Sequence, residues 1–352
     1  MTDLATGDRA ARNSHNSRNS HNSQNSVAGV AGVAGEPAQH FEQHRAELTG
    51  YCYRMLGSAF EAEDAAQETI VRAWKGFDRF EGRSAVRSWL YRIATNVCFD
   101  MLNGRKRRAR PMDLASPKPS HTTLPAPLPE VTWIEPIPDA RVLSSADDPA
   151  ERTVARETIR LAFVAALQHL PPRQRAVLIL REVLRLKADE VAELLGSTVA
   201  SVNSALQRAR ATLAASDLAS TDAFDALDDA TRELVDRYVD AFERYDMDAL
   251  TSLLHEEATL SMPPFDLWMR GRADIRGWML GTGMHCRGSR LVPTSANGSP
   301  AFGQYRPSGP GGRHEPWALQ VLEIADGQIV GLNSFLDTAN LFPLFGLPPS
   351  LD

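Results

Sequence analysis

Apolar residues recur at helical spacing in three consecutive stretches near the start of the chain, at about 41–56, 61–75 and 84–102. Each stretch gives one apolar stripe and one polar face, which is the pattern of a helix that packs against others. The stripes predict a small helical bundle over residues 41–110.

A second helical unit is predicted over residues 150–213, beginning at Asp148-Pro149, where an N-cap is followed by proline. Within it, a short helix over 187–195 ends at Gly196, and Ser197 is expected to cap the next helix. Two short helices joined by a glycine turn are typical of a helix-turn-helix DNA-binding unit. A plain helical hairpin gives the same pattern, so spacing alone leaves both open.

From about Thr231 the pattern changes from helices to strands. One or two helices are expected up to His255, followed by strands that include 317–324 and 328–335. The last two strands flank Asp326-Gly327, a hairpin turn signal. The sequence therefore predicts an α+β domain over 231–352.

Three further segments lack a regular apolar pattern. Residues 1–40 consist largely of Asn-Ser and Val-Ala-Gly repeats, a composition expected to remain disordered. Residues 111–149 are proline-rich and are interpreted as an extended linker. Residues 214–230 are interpreted as an acidic connector.

The formal net charge of −6 conceals a strong asymmetry along the chain. Between Arg83 and Arg110 there are eight Lys and Arg residues against one acid, whereas Ala214–Leu250 holds eleven acids against three arginines. Such a chain is suited to binding a polyanion with its basic part and to masking that part with its acidic one.

Cysteine use and hydropathy indicate the compartment. Cys52, Cys98 and Cys286 lie far apart without a CxxC pair, which argues against disulfides and a zinc site, so no metal or cofactor is expected. No apolar run is long enough to span a membrane, and the N-terminus lacks the features of a signal peptide. A cytoplasmic protein with no membrane partner is predicted.

A basic run follows the third helical stretch and carries five positive charges in six positions. Phosphate neutralisation is the favoured interpretation, and a solvated helix end is the alternative. The run comprises Arg105, Lys106, Arg107, Arg108 and Arg110. Upstream, Asn96 is a candidate for reading the edges of unpaired bases, since an asparagine there has no use in packing.

Three motifs, in this order, resemble the σ70 family of RNA polymerase sigma factors. Glu63–Thr69 with Trp74 resembles its polymerase-binding helix, and Ser88–Asn96 resembles the helix that melts and reads the −10 promoter element. Leu170–Arg175, followed by the helix-turn-helix, resembles the unit that reads the −35 element. The two-domain layout is most similar to the extracytoplasmic-function (ECF) subgroup.

This resemblance, which covers about 41–110 and 150–213, implies roles for particular residues. Core RNA polymerase, through its largest subunits, is expected to contact Asp64, Gln67, Glu68 and Trp74. Promoter DNA is expected to face the basic run and Arg87, Arg92, Asn96, Asp100, Ser197, Ser201, Asn203, Ser204, Gln207, Arg208 and Arg210. The family often has arginines where this chain has Asn203 and Ala205, so tight reading of the −35 element is in doubt and adenine is favoured.

The C-terminal third resembles SnoaL-like domains of the nuclear-transport-factor-2 (NTF2) superfamily, and the linker run Trp133–Asp139 is similar to that of ECF factors with this extension. The implied fold class is two all-α sigma domains, a helical bundle and a helix-turn-helix, followed by an α+β SnoaL/NTF2-like cone. Some superfamily members are enzymes, and this domain is a candidate for an unknown small ligand. The candidate pocket residues are Asp266, Trp268, Trp278, His285, Tyr305 and Trp317.

The leading hypothesis is an alternative sigma factor without catalysis of its own, which a fused C-terminal domain regulates by docking onto the sigma domains. A ligand-sensing or enzymatic SnoaL-like domain targeted by a helical DNA-binding module is the second. A dimeric helix-turn-helix repressor is the third, but such a repressor needs neither an acidic polymerase-binding helix nor a separate basic helix.

Overall fold

The computed structural model describes residues 41–80, 85–143, 149–215 and 229–352. The predicted tail and most of the acidic connector, together with Asp148, lie outside these ranges. No helix within the described ranges has the length and apolar character that a bilayer crossing requires.

The first helical domain contains α1 (Arg45–Leu56), α2 (Ala59–Gly76) and α3 (Val86–Leu102). Gly57 ends α1 with a left-handed backbone (φ 73°), a conformation that glycine adopts without steric cost. The Ser58 side chain then caps α2 by accepting a hydrogen bond from Glu61 N at 3.2 Å. The tight turn brings α1 and α2 together along the predicted apolar stripes.

The second helical domain follows the predicted order of helices with one difference. The helical sequence that begins at Pro149 predicts one helix up to Leu170, but the extended backbone of Arg160 (ψ 143°) divides it into two. The helices are α6 (Pro149–Ile159), α7 (Leu161–Gln168), α8 (Pro172–Leu178, continuing as a π-helical turn over Ile179–Val183), α9 (Ala188–Leu194) and α10 (Val199–Ala214).

The proline-rich segment between these domains contains two short helices, α4 (Pro111–Leu114) and α5 (Asp139–Val142). Its backbone is tied to the C-terminal domain at several points. Lys118 N donates to Trp268 O at 2.8 Å, and Leu128 N donates to Pro264 O at 2.8 Å. The segment is extended over much of its length, as predicted. It is also attached to the C-terminal domain, because its backbone donors are hydrogen-bonded there.

The C-terminal domain is a curved mixed sheet covered by helices. The strand order is β2-β1-β6-β5-β4-β3, in which only the β1–β6 pair is parallel. Its elements are α11 (Asp229–Glu243), α12 (Met247–Ser252), β1 (Leu254–Ser261), β2 (Trp268–Arg270), α13 (Arg272–Leu280), β3 (Arg290–Ala296), β4 (Ser299–Arg306), β5 (Glu315–Ala325), β6 (Gln328–Phe335) and α14 (Thr338–Leu344).

A chain of buried polar side chains crosses the interior of this domain. Tyr238 donates to Gln320 at 2.8 Å, Gln320 donates to Gln304 at 2.9 Å, and Gln304 donates to Ser289 at 3.0 Å. Because each member is satisfied by its neighbour, the chain fixes helix α11 against the sheet at little energetic cost.

Candidate polymerase and promoter interface

Helix α2 presents an exposed acidic ridge opposite its buried alanine face. Asp64, Gln67 and Glu68 are all exposed, as their i, i+3, i+4 spacing requires. Trp74, which is also expected to contact the polymerase, is 59% exposed. A tryptophan that stays in solvent beside an acidic ridge is typical of a surface that binds another protein.

The ridge is held by weak surface contacts. Arg45 donates to Gln67 Oε1 at 2.7 Å, and Arg72 pairs with Glu68 at 2.7 Å. Asp64 forms no ion pair with any residue that the structure describes. Exposed pairs of this kind contribute little to stability, so a partner protein can replace them at low cost.

Helix α3 exposes a second row of polar side chains. Arg87, Arg92, Asn96 and Asp100 are solvent-exposed, and Leu90 on the opposite face is fully buried. Arg87 pairs with Glu47 at 2.8 Å, while Asp100 lies 3.3 Å from Arg72. The row combines two guanidinium groups with an amide, which suits contact with phosphates and base edges.

The basic run after α3 divides into two parts. Arg105, Lys106 and Arg107 are exposed. Contrary to the expectation that it faces DNA, Arg108 is 7% exposed. Its guanidinium pairs with Glu61 at 3.1 Å and with Glu135 at 3.3 Å. A positive charge can be buried here because Glu61 pairs with it and the carbonyls of Glu130 and Trp133 accept its hydrogen bonds, and these contacts leave Arg108 unavailable to phosphates.

Arg110, at the end of the run, also has protein partners. It is half-buried, pairs with Asp113 at 3.4 Å and lies in the electrostatic field of Glu323. Burial raises the pKa of the Glu323 carboxyl, and the positive charges of Arg110 and Arg160 oppose that shift. The end of the run therefore faces the C-terminal domain.

The helix-turn-helix is formed by α9 and α10. Gly196 has a left-handed backbone (φ 56°), as expected for the turn. The cap of α10 is Thr198, whose side chain accepts from Ser201 N at 3.2 Å; the prediction of Ser197 was wrong by one residue. Val202 and Leu206 are buried, and the exposed side chains are Ser201, Asn203, Ser204, Gln207, Arg208 and Arg210.

The turn between β3 and β4 joins the three domains. Asn297 is fully buried, and its amide nitrogen donates to Tyr53 Oη at 2.7 Å and to the Ile159 carbonyl at 2.6 Å. Its Oδ1 accepts from Ile137 N at 3.0 Å. One side chain therefore binds the first helical domain, the linker and the second helical domain. We call these contacts the Asn297 joint.

A second buried contact lies beside this joint. Glu135 accepts a hydrogen bond from Ser58 Oγ at 2.5 Å and pairs with Arg108, while its backbone N donates to Gly57 O at 3.0 Å. Burial raises the pKa of the Glu135 carboxyl to about 7, against the opposing effects of Arg108 and Ser58.

The two helical domains also contact each other directly. Arg175 of α8 is buried; it donates to Gln168 Oε1 at 2.7 Å and to the carbonyl of Met55 at the end of α1. Arg92 Nη2 of α3 lies 3.5 Å from the carbonyl of Glu193 in α9. The helix expected to read the −10 element is therefore in contact with the helix-turn-helix. We call this state the closed arrangement.

The six candidate pocket residues of the C-terminal domain do not converge on one site. Trp268 Nε1 donates to Ala115 O in the linker at 2.7 Å, and Tyr305 Oη donates to Pro348 O at 2.7 Å. Trp278 belongs to the apolar core, His285 is exposed and Asp266 is half-buried. Trp317 alone among the six lines a cavity between the linker and the sheet. Sequence periodicity does not reveal which aromatic residues a linker will cover.

Family models match the chain in the same three regions. Sigma-70 region 2 matches residues 40–108, Sigma-70 region 4 matches 160–213, and the SnoaL-like domain matches 235–332. The crystal structure of the Mycobacterium tuberculosis ECF sigma factor SigJ is 24% identical, covers 88% of this chain and 99% of its own, and superposes with a TM-score of 0.57. That likeness confirms the fold.

Full-length relatives decide the family. The ECF RNA polymerase sigma factor SigG of Mycobacterium tuberculosis is 44% identical over 323 residues, which are 89% of this chain and 84% of SigG. The chain belongs to the ECF RNA polymerase sigma factors. The sigma factor YlaC of Bacillus subtilis is 31% identical over 170 residues, or 48% of this chain and 85% of YlaC. This ECF sigma factor thus carries a SnoaL-like domain beyond its sigma regions.

Two variants of the basic run of this sigma factor are expected to behave differently. Arg108→Ala leaves Glu135 and Glu61 without their buried cation, and we expect a loss of about 3 kcal/mol in the free energy of unfolding. Lys106→Ala is expected to leave stability unchanged and to lower the salt dependence of promoter binding by about one released ion. Urea unfolding and salt titrations of promoter binding measure the two effects, and equal destabilisation by both variants would contradict the assignment.

Proposed function

We propose that this ECF sigma factor binds the clamp helices of the largest subunits of core RNA polymerase through the α2 ridge and Trp74. The observation that carries the proposal is the exposure of Asp64, Gln67 and Glu68 on one side of the helix, beside an indole that is 59% exposed. The charged rim and the apolar ring together resemble the composition of a protein interface.

Charge reversal tests this surface. Asp64→Arg is expected to weaken binding to core polymerase at least tenfold, because it puts a positive charge at a position where the polymerase surface is expected to complement a negative one. Asp236→Arg, a reversal of another exposed aspartate on α11 of the C-terminal domain, is the matched control and should bind normally. The measurement is capture of purified core enzyme by the tagged, full-length factor. Normal capture by Asp64→Arg would show that polymerase is bound elsewhere.

We propose that α3 and the exposed half of the basic run contact the −10 element. The contacting residues would be Arg87, Arg92, Asn96, Asp100, Arg105, Lys106 and Arg107. Helix α10 would read the −35 element in the major groove. Its exposed residues include few strong guanine-reading side chains, and the amides of Asn203 and Gln207 favour adenine.

We further propose that the SnoaL-like domain regulates the sigma domains in cis by holding the closed arrangement. Elements centred about 10 and 35 base pairs upstream of the start site are roughly 85 Å apart along B-form DNA. Domains in which Arg92 touches Glu193 cannot occupy both elements at once. Opening must therefore accompany promoter recognition, and the Asn297 joint opposes it.

The contact proposed for regulation therefore differs from the acidic segment that the charge pattern of the sequence indicated. The acidic segment Ala214–Leu250 was expected to compete with DNA, and its residues 216–228 lie outside the described ranges. The buried contacts that support docking come instead from Asn297 and the linker. We propose that the SnoaL-like domain has no catalytic role, since its candidate residues are scattered, and that the factor acts in the cytoplasm with the polymerase.

A further inference from the structure

A cavity of about 660 Å³ lies between the linker, helix α2 and the end of the SnoaL-like sheet. Five aromatic residues contribute to its walls: Phe60, Trp133, Phe265, Trp317 and Phe335. A volume of this size is sufficient for a drug-sized molecule, and mainly apolar walls are usual for small-ligand sites. The cavity is distinct from the polar interior of the SnoaL-like domain.

The charged residues that line the cavity are all acidic. They are Glu130 and Glu135 of the linker and Asp337, which precedes α14; none of the described lining residues is Lys, Arg or His. Glu135 is engaged with Ser58 and Arg108. Asp337 accepts a hydrogen bond from Asn340 at 2.9 Å and has no ion pair within the described residues.

The nearby cations are directed to protein partners and do not line the cavity. Arg306 stacks on the Trp317 ring at 3.6 Å, and Arg108 pairs with Glu135. Aromatic faces attract positive charge, and so does the Asp337 carboxylate, which has no ion pair among the described residues; both disfavour anions. The charge and the apolar walls of the cavity therefore both favour an apolar molecule that carries a positive charge.

We propose that this cavity binds a lipophilic organic cation, a small molecule with an aromatic or aliphatic body and one positive charge. The body lies against Phe265, Trp317 and Phe335, and the charge lies nearest Asp337. Leu124 and Leu128, linker residues that are 37% and 38% exposed, become covered when the ligand enters.

Such a ligand stabilises the closed arrangement, because its site is complete only while the linker, α2 and the SnoaL-like domain are together. A ligand that binds one of two states more tightly shifts the population toward that state. Any effect of the ligand on transcription rests on the proposed regulation in cis. The binding of the ligand to the cavity does not depend on that proposal.

Two ions of the same shape and opposite charge test the proposal. Tetraphenylphosphonium and tetraphenylborate are titrated separately into the full-length protein, with heat of binding as the readout. We expect one phosphonium ion per chain and at least tenfold weaker binding of the borate. Equal affinity for the two ions, or tighter binding of the borate, overturns the proposal.

Variants locate the site. Asp337→Asn is expected to weaken phosphonium binding at least threefold, and Phe335→Leu to weaken it through lost ring contact. Asp326→Asn removes a carboxylate from the exposed β5–β6 turn, outside the cavity lining, and should change nothing. Thermal unfolding of each variant confirms that it is folded. Undiminished binding by both cavity variants excludes this cavity as the site.

A second readout separates this proposal from the proposed regulation. The distance between dyes on the two helical domains is followed with core polymerase and promoter DNA as phosphonium is added. If phosphonium binds more tightly than borate but leaves this distance unchanged, the result supports the proposed ligand site and contradicts the proposed regulation in cis. The opposite result is that phosphonium does not bind, while Asn297→Ala still raises transcription by the factor. That result contradicts the proposed ligand site and supports the proposed regulation in cis.

Discussion

Replacement of Asn297 by alanine is expected to open the closed arrangement and to raise promoter-directed transcription. The substitution removes three hydrogen bonds and leaves Ile137 N and the Ile159 carbonyl buried without their partner. Each unsatisfied buried group costs about 1–3 kcal/mol, so a loss of roughly 3 kcal/mol corresponds to more than a hundredfold shift in the equilibrium between closed and open forms.

The control for Asn297→Ala is Asp326→Ala. Both residues have a left-handed backbone, with φ of 56° and 50°, and both precede a glycine in a strand-connecting turn. Alanine in this conformation costs about 1–2 kcal/mol at either position, but only Asn297 is buried between domains. The measurements are energy transfer between the helical domains and run-off transcription with core polymerase. Equal effects of the two variants would assign the change to backbone strain.

The closed arrangement is expected to weaken as pH rises. The pKa of Glu135 is raised to about 7 by burial, so the neutral carboxyl is favoured in the closed form and its stabilisation is fully present below pH 4.5. That stabilisation is lost as pH rises through 7, by about 3 kcal/mol in total and about 1 kcal/mol between pH 6 and pH 8.

Glu135→Gln tests this dependence, because an amide is neutral throughout the range and retains hydrogen-bonding capacity toward Ser58. The closed fraction of the wild-type factor should fall between pH 6 and pH 8, as measured by energy transfer, whereas the closed fraction of the Glu135→Gln variant should stay constant. Other groups titrate over the same range, so the difference between the two proteins is the quantity to be measured. Identical pH profiles would show that Glu135 does not control opening.

The helical part of the fold follows from local sequence, which is why it could be predicted. Apolar spacing located α2 and α3 closely, and the glycine at 196 placed the turn of the helix-turn-helix correctly. The burial of Arg108 could not be predicted in the same way, because a run of positive charges does not show which of them protein carboxylates will pair with.

The Asn297 joint could not be predicted from local pattern. The Asn297-Gly298 pair is a recognisable hairpin signal, and it does connect β3 to β4. Its insertion among three domains depends on long-range contacts, which a turn signal does not encode. The attachment of the linker was missed for the same reason, since proline content indicates an extended backbone but does not show what that backbone lies against.

The hydrogen bond between Tyr53 and Asn297 joins residues 244 positions apart in the chain. A ribosome adds about 5–20 residues each second, so the sigma regions, which end near residue 213, are synthesised on the order of ten seconds before Asn297. During that interval both sigma regions exist without Asn297 and its three hydrogen bonds. The proposed regulation in cis therefore implies that each newly made molecule passes through a brief period, before Asn297 is added, in which polymerase can bind its sigma regions.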